Sequence, residues 1–597
     1  MSSTINKAEL ISKLQTLEGL TNEERSNLIG LLRQHKKYGL VWEDKPEDVE
    51  ERLREELPVL REVKDKAILS DAPDAPNHIL IEGDNLEALT ALSYTHEGKI
   101  DVIYIDPPYN TGNKDFVYND SFVDTEDSYR HSKWLSFMNK RLRIAKKLLS
   151  DKGVIFISID DNEQAQLKIL CDEVFGCDNF TGNVIWEKTD SPRMDVKGFT
   201  VRHDYILVYQ KPDFVLKRIM PDEVPEHYNK TDEKGRRYYL KPLRLMGGHK
   251  SDSLYYGIEA PDGTIIYPKE TNGDNGCWRW SKTKYKEETE RIEWVKGKKG
   301  WSANFRIYAE NMTPTPVNTV WVFDKVGSTR TAKTELSNIV QQFIFSYPKP
   351  SSLISFIEKI ASDDDSTILD FFAGSGTTLH ATMQLNAEDG GHRQCILVTN
   401  NENNICEEVT YERNKRVING YTTPKGVEVA GLKANTLRYY KTDYISRDRT
   451  QKNMRDLVTA ATDLLCIKEN LYEEQKTFGR FKLKPHLARY FNDGRKHMLI
   501  VYREELIDEI AAEIAKLDFG KMRLKIYVFS PGRYAFNDNF REVEDKVELV
   551  ALPAAIYDAY QKVLPKRKEK LFGEEKETNV APVYQDMFAD QEEGGES

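Results

Sequence analysis

The chain has 597 residues, several times what one hydrophobic core occupies, so three or four folded units are expected. Hydrophobic residues make up 39% and aromatics 10%, which excludes wholesale disorder. No apolar run approaches the roughly 18 residues of a membrane span, and the formal net charge of -11 excludes a uniformly basic polyanion binder, so any nucleic-acid surface must be local.

In chain order, residues 1–70 read as a charged helical arm, with Leu10, Leu14, Leu17 and Leu20 at helical spacing. The prolines of Asp71–Pro76 end it as a linker. Residues 77–178 alternate short apolar runs with helical stretches: strand His78–Glu82, helix Asn85–Tyr94, strand Ile100–Ile105, helix Tyr129–Leu149, strand Gly153–Ser158. That rhythm predicts a parallel sheet with crossover helices. It fails over 179–342, a tryptophan- and lysine-rich stretch with glycine turns that reads as an inserted β-rich domain. It resumes over 343–438 with helix Ser351–Ala361 and strands Ser366–Asp370 and Cys395–Thr399. One α/β sheet is thus expected from two separated segments. A further α/β unit is expected over 439–565, with strands Met498–Tyr502 and Leu524–Phe529 around helix Glu505–Leu517, and an acidic disordered tail over 566–597. The six scattered cysteines include no Cys-x-x-Cys pair and suit free thiols in a reducing cytoplasm, with no metal site expected.

Two loops carry the chemistry. Asp106-Pro107-Pro108-Tyr109 follows directly on a strand, at the carboxyl end where open parallel sheets bind ligands. An amino group conjugated with an aromatic ring is a poor nucleophile, and it needs two fixed acceptors to hold its N–H bonds and free its lone pair. The Asp106 carboxylate and the Pro107 carbonyl offer that pair on a proline-stiffened backbone, and Tyr109 offers a ring to stack on a base. The second loop is Asp370-Phe371-Phe372-Ala373-Gly374-Ser375-Gly376-Thr377-Thr378, between a strand and a helix. Its glycines let a ligand approach the backbone, and the helix N-terminus suits a carboxylate. No Walker-type Gly-Lys-Ser/Thr occurs, which disfavours ATP as a substrate.

Together with Tyr38–Glu43, Glu82-Gly-Asp-Asn-Leu86 and Phe156–Asn162, these loops resemble the β group of amino-directed DNA methyltransferases, in which the catalytic motif precedes the glycine motif. The resemblance covers roughly 36–440 and is nearest to the modification subunits of type III restriction–modification systems. It implies a Rossmann-like methyltransferase sheet with an inserted target-recognition domain, S-adenosylmethionine as cofactor, and methylation of adenine N6 in duplex DNA after base flipping. It implies catalytic roles for Asp106, Pro107, Pro108 and Tyr109. Cofactor contacts are implied for Asp84, Asn85, Asp370, Phe372, Gly374, Ser375, Gly376 and Thr377, with Lys349 and Ser351 closing over the methionine moiety; where the usual ribose-binding acid is expected, Asn400-Asn401-Glu402 follows the strand, so either Glu402 or an asparagine stands in for it.

DNA contacts are expected from Asn110, Lys188, Arg193, Trp278, Arg279, Trp280, Lys298, Lys299 and Trp301, which combine cations for phosphates with rings and amides for bases. For any single tryptophan a place in the core is the plainer reading. The resemblance further implies a homodimer and an ATP-using restriction subunit as partner. Cytosine-N4 methylation and an orphan enzyme without a restriction partner are the alternatives; Asp106 favours adenine, because serine more often stands there in cytosine enzymes. A chain acting only as a DNA-specificity subunit is a further, non-catalytic reading. Pro221-Asp222 with Asp232-Glu233-Lys234 reads as a chance match to a nuclease pattern in a chain with 31% charged residues.

Overall fold

The computed structural model describes residues 42–566 except 114, 120, 193, 195, 222, 246–250, 269–275, 299 and 342–344. The expectations for residues 1–41, Arg193, Lys299 and the tail from 567 lie outside the described residues. The chain divides into two compact units, the first holding most of 62–441 and the second 46–61, 93–95 and the residues from 442.

The first unit is built on a sheet whose strands are β1 (Asn77–Glu82), β2 (Ile100–Ile105), β3 (Leu149–Ile159), β4 (Phe180–Glu187), β5 (His203–Gln210), β9 (Val320–Trp321), β10 (Thr367–Asp370), β11 (Gln394–Thr399) and β12 (Thr436–Ser446). Strands β6 (Arg237–Pro242), β7 (Ile292–Gly297) and β8 (Gly300–Tyr308) form a separate sheet in the insertion, together with the short strand Lys230–Thr231. The main order is β12-β1-β11-β10-β2-β3-β5-β4-β9. Pairing is parallel from β12 through β3, and β5 runs antiparallel to both β3 and β4.

Strand β2, Ile-Asp-Val-Ile-Tyr-Ile, is buried along nearly its whole length, as a strand covered on both faces must be. Val102 and Tyr104 join a core with Leu336, Ile357, Leu379 and Val417. These come from helices α4 (Thr329–Val340), α5 (Ser351–Ala361), α6 (Thr377–Asp389) and α7 (Glu412–Asn419). Its alternate residues Ile103 and Ile105 are equally buried, on the opposite side of the pleat. Helices α1 (Asn85–His96), α2 (Arg130–Leu148) and α3 (Gln164–Phe175) also carry buried apolar residues, among them Leu89, Trp134, Met138 and Leu167. Each such side chain contributes roughly 1.5–3 kcal/mol on burial.

Three expectations change. The stretch 42–70 is not a helical arm: helix Asp48–Glu55 gives way to strand Glu56–Glu62, because Pro58 cannot continue the helical hydrogen bonding. The insertion is shorter than 179–342, since β4, β5 and β9 belong to the main sheet, and Val184, Trp186, Ile206 and Val208 face its core. Lastly, Trp278 and Trp280 are buried in the insertion's own core with Leu243, Tyr256, Ile258 and Phe305. The Trp278 indole N–H donates to Tyr256 O at 2.8 Å, and the Trp280 ring lies 4.7 Å from that of Phe305. Neither ring is available to stack on a base.

In the second unit, α8 (Gln451–Glu469) precedes a five-stranded sheet containing β13 (Ala488–Asn492), β14 (His497–Val501), β15 (Leu524–Phe529) and β16 (Val547–Leu552) in that order. Helix α9 (Ile507–Ile514) packs Ile510 and Ile514 against Leu499, Val501, Ile526 and Val528. This is the α/β unit expected from the sequence, with the helix shorter at both ends.

The Trp278 assignment yields a test. Trp278→Ala should lower stability by about 3–5 kcal/mol, as large-to-small core changes do, read as a lowered midpoint in thermal denaturation. An unchanged midpoint with weakened DNA binding would return this ring to the DNA surface.

Candidate active site

Strand β10 pairs with β2 through Ile368↔Val102 and Leu369↔Ile103, so Asp370 and Asp106 emerge on one sheet edge. From this pair the chain departs in opposite directions, β2 to neighbouring β3 and β10 to neighbouring β11. A crevice opens at such a switch point. The ends of β1 and β11 extend the same edge, with Gly83 N donating to Thr399 O at 3.1 Å.

The catalytic-loop candidate is held from three sides. Trp134 on α2 donates its indole N–H to Pro108 O at 2.7 Å, which occupies the Pro108 carbonyl and not that of Pro107. Asn110 takes the left-handed conformation at φ 57 and is buried, with Nδ2 donating to Glu163 Oε1 at 2.5 Å. Asn110 therefore anchors the loop instead of contacting DNA, a correction that follows from its burial. The Tyr109 hydroxyl donates to Asp204 Oδ2 at 3.4 Å, and Asp204 Oδ1 receives Lys188 Nζ at 2.6 Å. Burial, then the carboxylates of Asp106 and Asp204, push the Tyr109 phenol well above its usual range. The ring stays neutral.

Asp106 itself makes an ion pair through Oδ2 with Lys349, whose side chain is only 10% exposed. Its other oxygen, Oδ1, is buried and accepts no hydrogen bond among the described residues. The Lys349 ammonium also lies 5.2 Å from the centre of the Tyr109 ring. The segment expected to close over a cofactor thus reaches the candidate catalytic aspartate.

The glycine loop is shaped from beneath. Asp370 Oδ1 accepts from Phe372 N at 3.0 Å and Oδ2 from Thr378 Oγ1 at 2.6 Å. Gly374 and Gly376 adopt φ 49 and 72, and a Cβ on Gly376 would meet Asn414 Nδ2 at 2.4 Å, so glycine is required there. Below the loop, Arg413 of α7 donates to Ser375 Oγ at 3.2 Å, to Thr377 Oγ1 at 2.7 Å and to Glu335 of α4 at 3.2 Å. Glu335 in turn accepts from Ser351 N at 3.2 Å and from its hydroxyl. Burial, the largest single influence, pushes the Glu335 carboxyl up, but the Arg413 guanidinium together with the other groups around it, the Ser351 hydrogen bonds among them, holds it below the usual range. His380, pushed down to about 4 by burial and then by Arg413, is neutral and accepts from that guanidinium at 3.1 Å.

Several predicted cofactor contacts are therefore internal. The Ser375, Thr377, Ser351 and Asp370 side chains are consumed in fixing the loop. Asn85 spends its amide on Phe371 O at 3.1 Å and on buried Arg141. Asp84 caps α1 through Leu86 N at 2.7 Å and keeps a side chain 38% exposed, and Phe372 is half-buried at the crevice. Glu402 is exposed on a short turn after β11, whose end adjoins that of β1. In the insertion, Arg279 and Lys298 are exposed, while Trp301 is half-buried and donates to Asp262 at 2.8 Å. Lys188 lies in the crevice beside Tyr109.

Glu335, Arg413, Arg141, Trp134 and Asp204 were not singled out from sequence. A signal existed for three of them, each a charge at helical spacing among buried residues: Glu335 between Ala332 and Ile339, Arg141 between Met138 and Ala145, Arg413 four before Val417.

Burial raises the Asp370 carboxyl from 3.8 to about 7. A carboxyl raised on folding contributes stability that is full below its unfolded value and lost as pH climbs through about 7. Asp370→Asn should therefore gain stability relative to the parent between pH 5 and pH 8, measured as urea midpoints. A relative loss over that interval would contradict the burial argument.

Comparison with known proteins agrees with this geometry. The DNA methylase family profile (N6 and N4 methyltransferases) matches residues 100–419, more than half of the chain and inclusive of both loops. The StyLTI Mod subunit of a type III restriction-modification enzyme, from Salmonella typhimurium, is 34% identical over 57% of this chain and 56% of its own length. The EcoPI Mod subunit of Escherichia phage P1 is 35% identical over 54% and 58% respectively. The chain thus spans little more than half the length of these two relatives. The type II methyltransferase M.KpnI of Klebsiella pneumoniae is 34% identical over 58% of this chain and 87% of its own length. The chain belongs to the N6/N4 DNA methylase family.

Proposed function

We propose that this chain transfers a methyl group from S-adenosylmethionine to the N6 amino group of an adenine flipped out of duplex DNA. The observation that carries the reading is Asp106 Oδ1, a buried acceptor with no partner among the described residues, in the loop that carries the Tyr109 ring and on the edge shared with the glycine loop. Buried polar atoms are ordinarily satisfied. One left open in a crevice is suited to a substrate N–H.

The residues present fit the cofactor. Asp84 offers a partly exposed carboxylate and Phe372 a half-buried ring, on the sheet edge that the glycine loop shares. When bound, S-adenosylmethionine supplies an electrophilic methyl group. The chain's own work is to orient and to hold. Asp106 Oδ1 and the Pro107 carbonyl accept the two N6 hydrogens, so the nitrogen lone pair is directed away from the ring plane. Tyr109 stacks on the base, positioned by Asp204 and Lys188. Asp106 offsets the positive charge that develops on N6 and can receive the departing proton. Lys349 fixes the Asp106 carboxylate through its other oxygen, and this preorganisation substitutes for reorganisation during the reaction.

The likeness to the two Mod subunits supports a modification subunit of a type III restriction–modification enzyme; sequence recognition, a cytoplasmic homodimer and an ATP-dependent nuclease partner are further parts of the proposal. The 87% coverage of M.KpnI favours a second reading, a stand-alone adenine methyltransferase. Cytosine N4 poses the same electronic problem, and product analysis separates the two bases.

DNA from cells expressing the chain alone, digested to nucleosides, should contain N6-methyladenine. Asp106→Ala should reduce it by at least about a hundredfold while cofactor binding persists, since a preorganised group aimed at developing charge is worth about 10²–10³ in rate. Undiminished N6-methyladenine in that variant would overturn the site.

A further inference from the structure

The loop joining β4 to β5, residues 188–202, is fixed at the crevice by both ends. Lys188 N donates to Arg202 O at 2.9 Å, and Lys188 Nζ meets the same Asp204 that receives the Tyr109 hydroxyl. Arg202 adds bonds to Glu187 Oε1 at 2.7 Å and to Thr189 O at 3.2 Å, and Arg330 pairs with Asp190 at 3.1 Å. The base of the loop is rigidly tied. The registers Glu187↔His203 and Ile159↔Tyr205 place it on the carboxyl edge of β3, which neighbours β2, the strand that Asp106 follows.

Its tip is unlike its base. Met194 and Phe199 are 92% and 98% exposed, and Val196 and Val201 are 42% and 50% exposed. Single exposed apolar residues need no explanation, but four within eight positions at the mouth of a site mark an interaction surface. Lys197 and the 72% exposed Arg330 flank it with cations. Apolar tip and cationic flanks together match duplex DNA, whose stacked bases accept an apolar wedge between charged backbones.

Resting on the reading of a flipped adenine, we propose that Phe199 and Met194 are the wedge that enters the base stack where the target nucleotide leaves it. Extrusion opens a gap in the stack, and the loop fixed beside Tyr109 is placed to fill it. Lys197 and Arg330 contact the neighbouring phosphates.

The test compares two substrates carrying the motif that methylation profiling identifies: an intact duplex, and the same duplex with an abasic site opposite the target adenine, where unpairing is already achieved. Phe199→Ala should slow methylation of the intact duplex by about tenfold or more, and that of the abasic duplex by less than about twofold, with cofactor affinity and thermal midpoint unchanged. Met194→Ala should follow the same pattern with a smaller ratio. Equal losses on both substrates, or none on the intact duplex, would overturn the wedge. So would a change of oligomeric mass with methylation intact, which would make the tip a protein contact. Failure of the parent chain on both substrates would instead overturn the methyltransferase reading beneath the proposal.

Discussion

The parallel pairing of β2 with β10 is the constraint on which the site depends. Only two pairs of residues define it, Ile368↔Val102 and Leu369↔Ile103, yet they join strands separated by some 260 positions in the chain. Because both strands are buried nearly throughout, a slip by one residue would send every side chain to the opposite covering layer, where the packing partners differ, so the register is specified. With it fixed, the first residue beyond β2 is Asp106 and the last of β10 is Asp370. The rest of the site elaborates this juxtaposition: Lys349 reaches Asp106 from the second segment, and Arg413 and Glu335 brace the glycine loop from below.

Much of this was legible in the sequence, for physical reasons. Strands such as Ile100–Ile105 are runs of β-branched and aromatic residues bounded by turn formers, and the helix Ser351–Ala361 has the apolar period of a covered face. The two loops stood out because proline pairs and alternating glycines impose backbone geometry that local sequence encodes. Residue roles within the glycine loop were less legible. The resemblance implied Ser375, Thr377 and Asn85 as ligand contacts, but whether a polar side chain faces a crevice or a buried arginine is decided by distant helices: α7 supplies Arg413 to the two hydroxyls, and α2 supplies Arg141 to Asn85. The limits of the insertion were misplaced for a related reason: β4 and β5 run antiparallel near one end of the main sheet, and the partly open positions of β4 resemble those of an independent β domain. Trp278 and Trp280 were candidate base contacts until the fold enclosed them in a small core.

The charge distribution is consistent with this division of labour. A chain of net charge -11 is not drawn to DNA as a whole, and cations matter where they are placed. Lys188, Lys197, Arg202 and Arg330 gather on or against one loop at the mouth of the crevice, while Arg141 and Arg413 are fully buried and serve the fold. Counting basic residues would not have separated the two groups; burial does.

The central claim is that both segments work as one site through Asp106 and Lys349. A double-mutant cycle on single-turnover methyl transfer, with Asp106→Asn, Lys349→Gln and the pair, tests it most directly. Groups that act as a unit are non-additive, so the double variant should be no more than about twofold slower than Asp106→Asn alone. Two losses that simply multiply would show that Lys349 and Asp106 act independently, and would contradict the account.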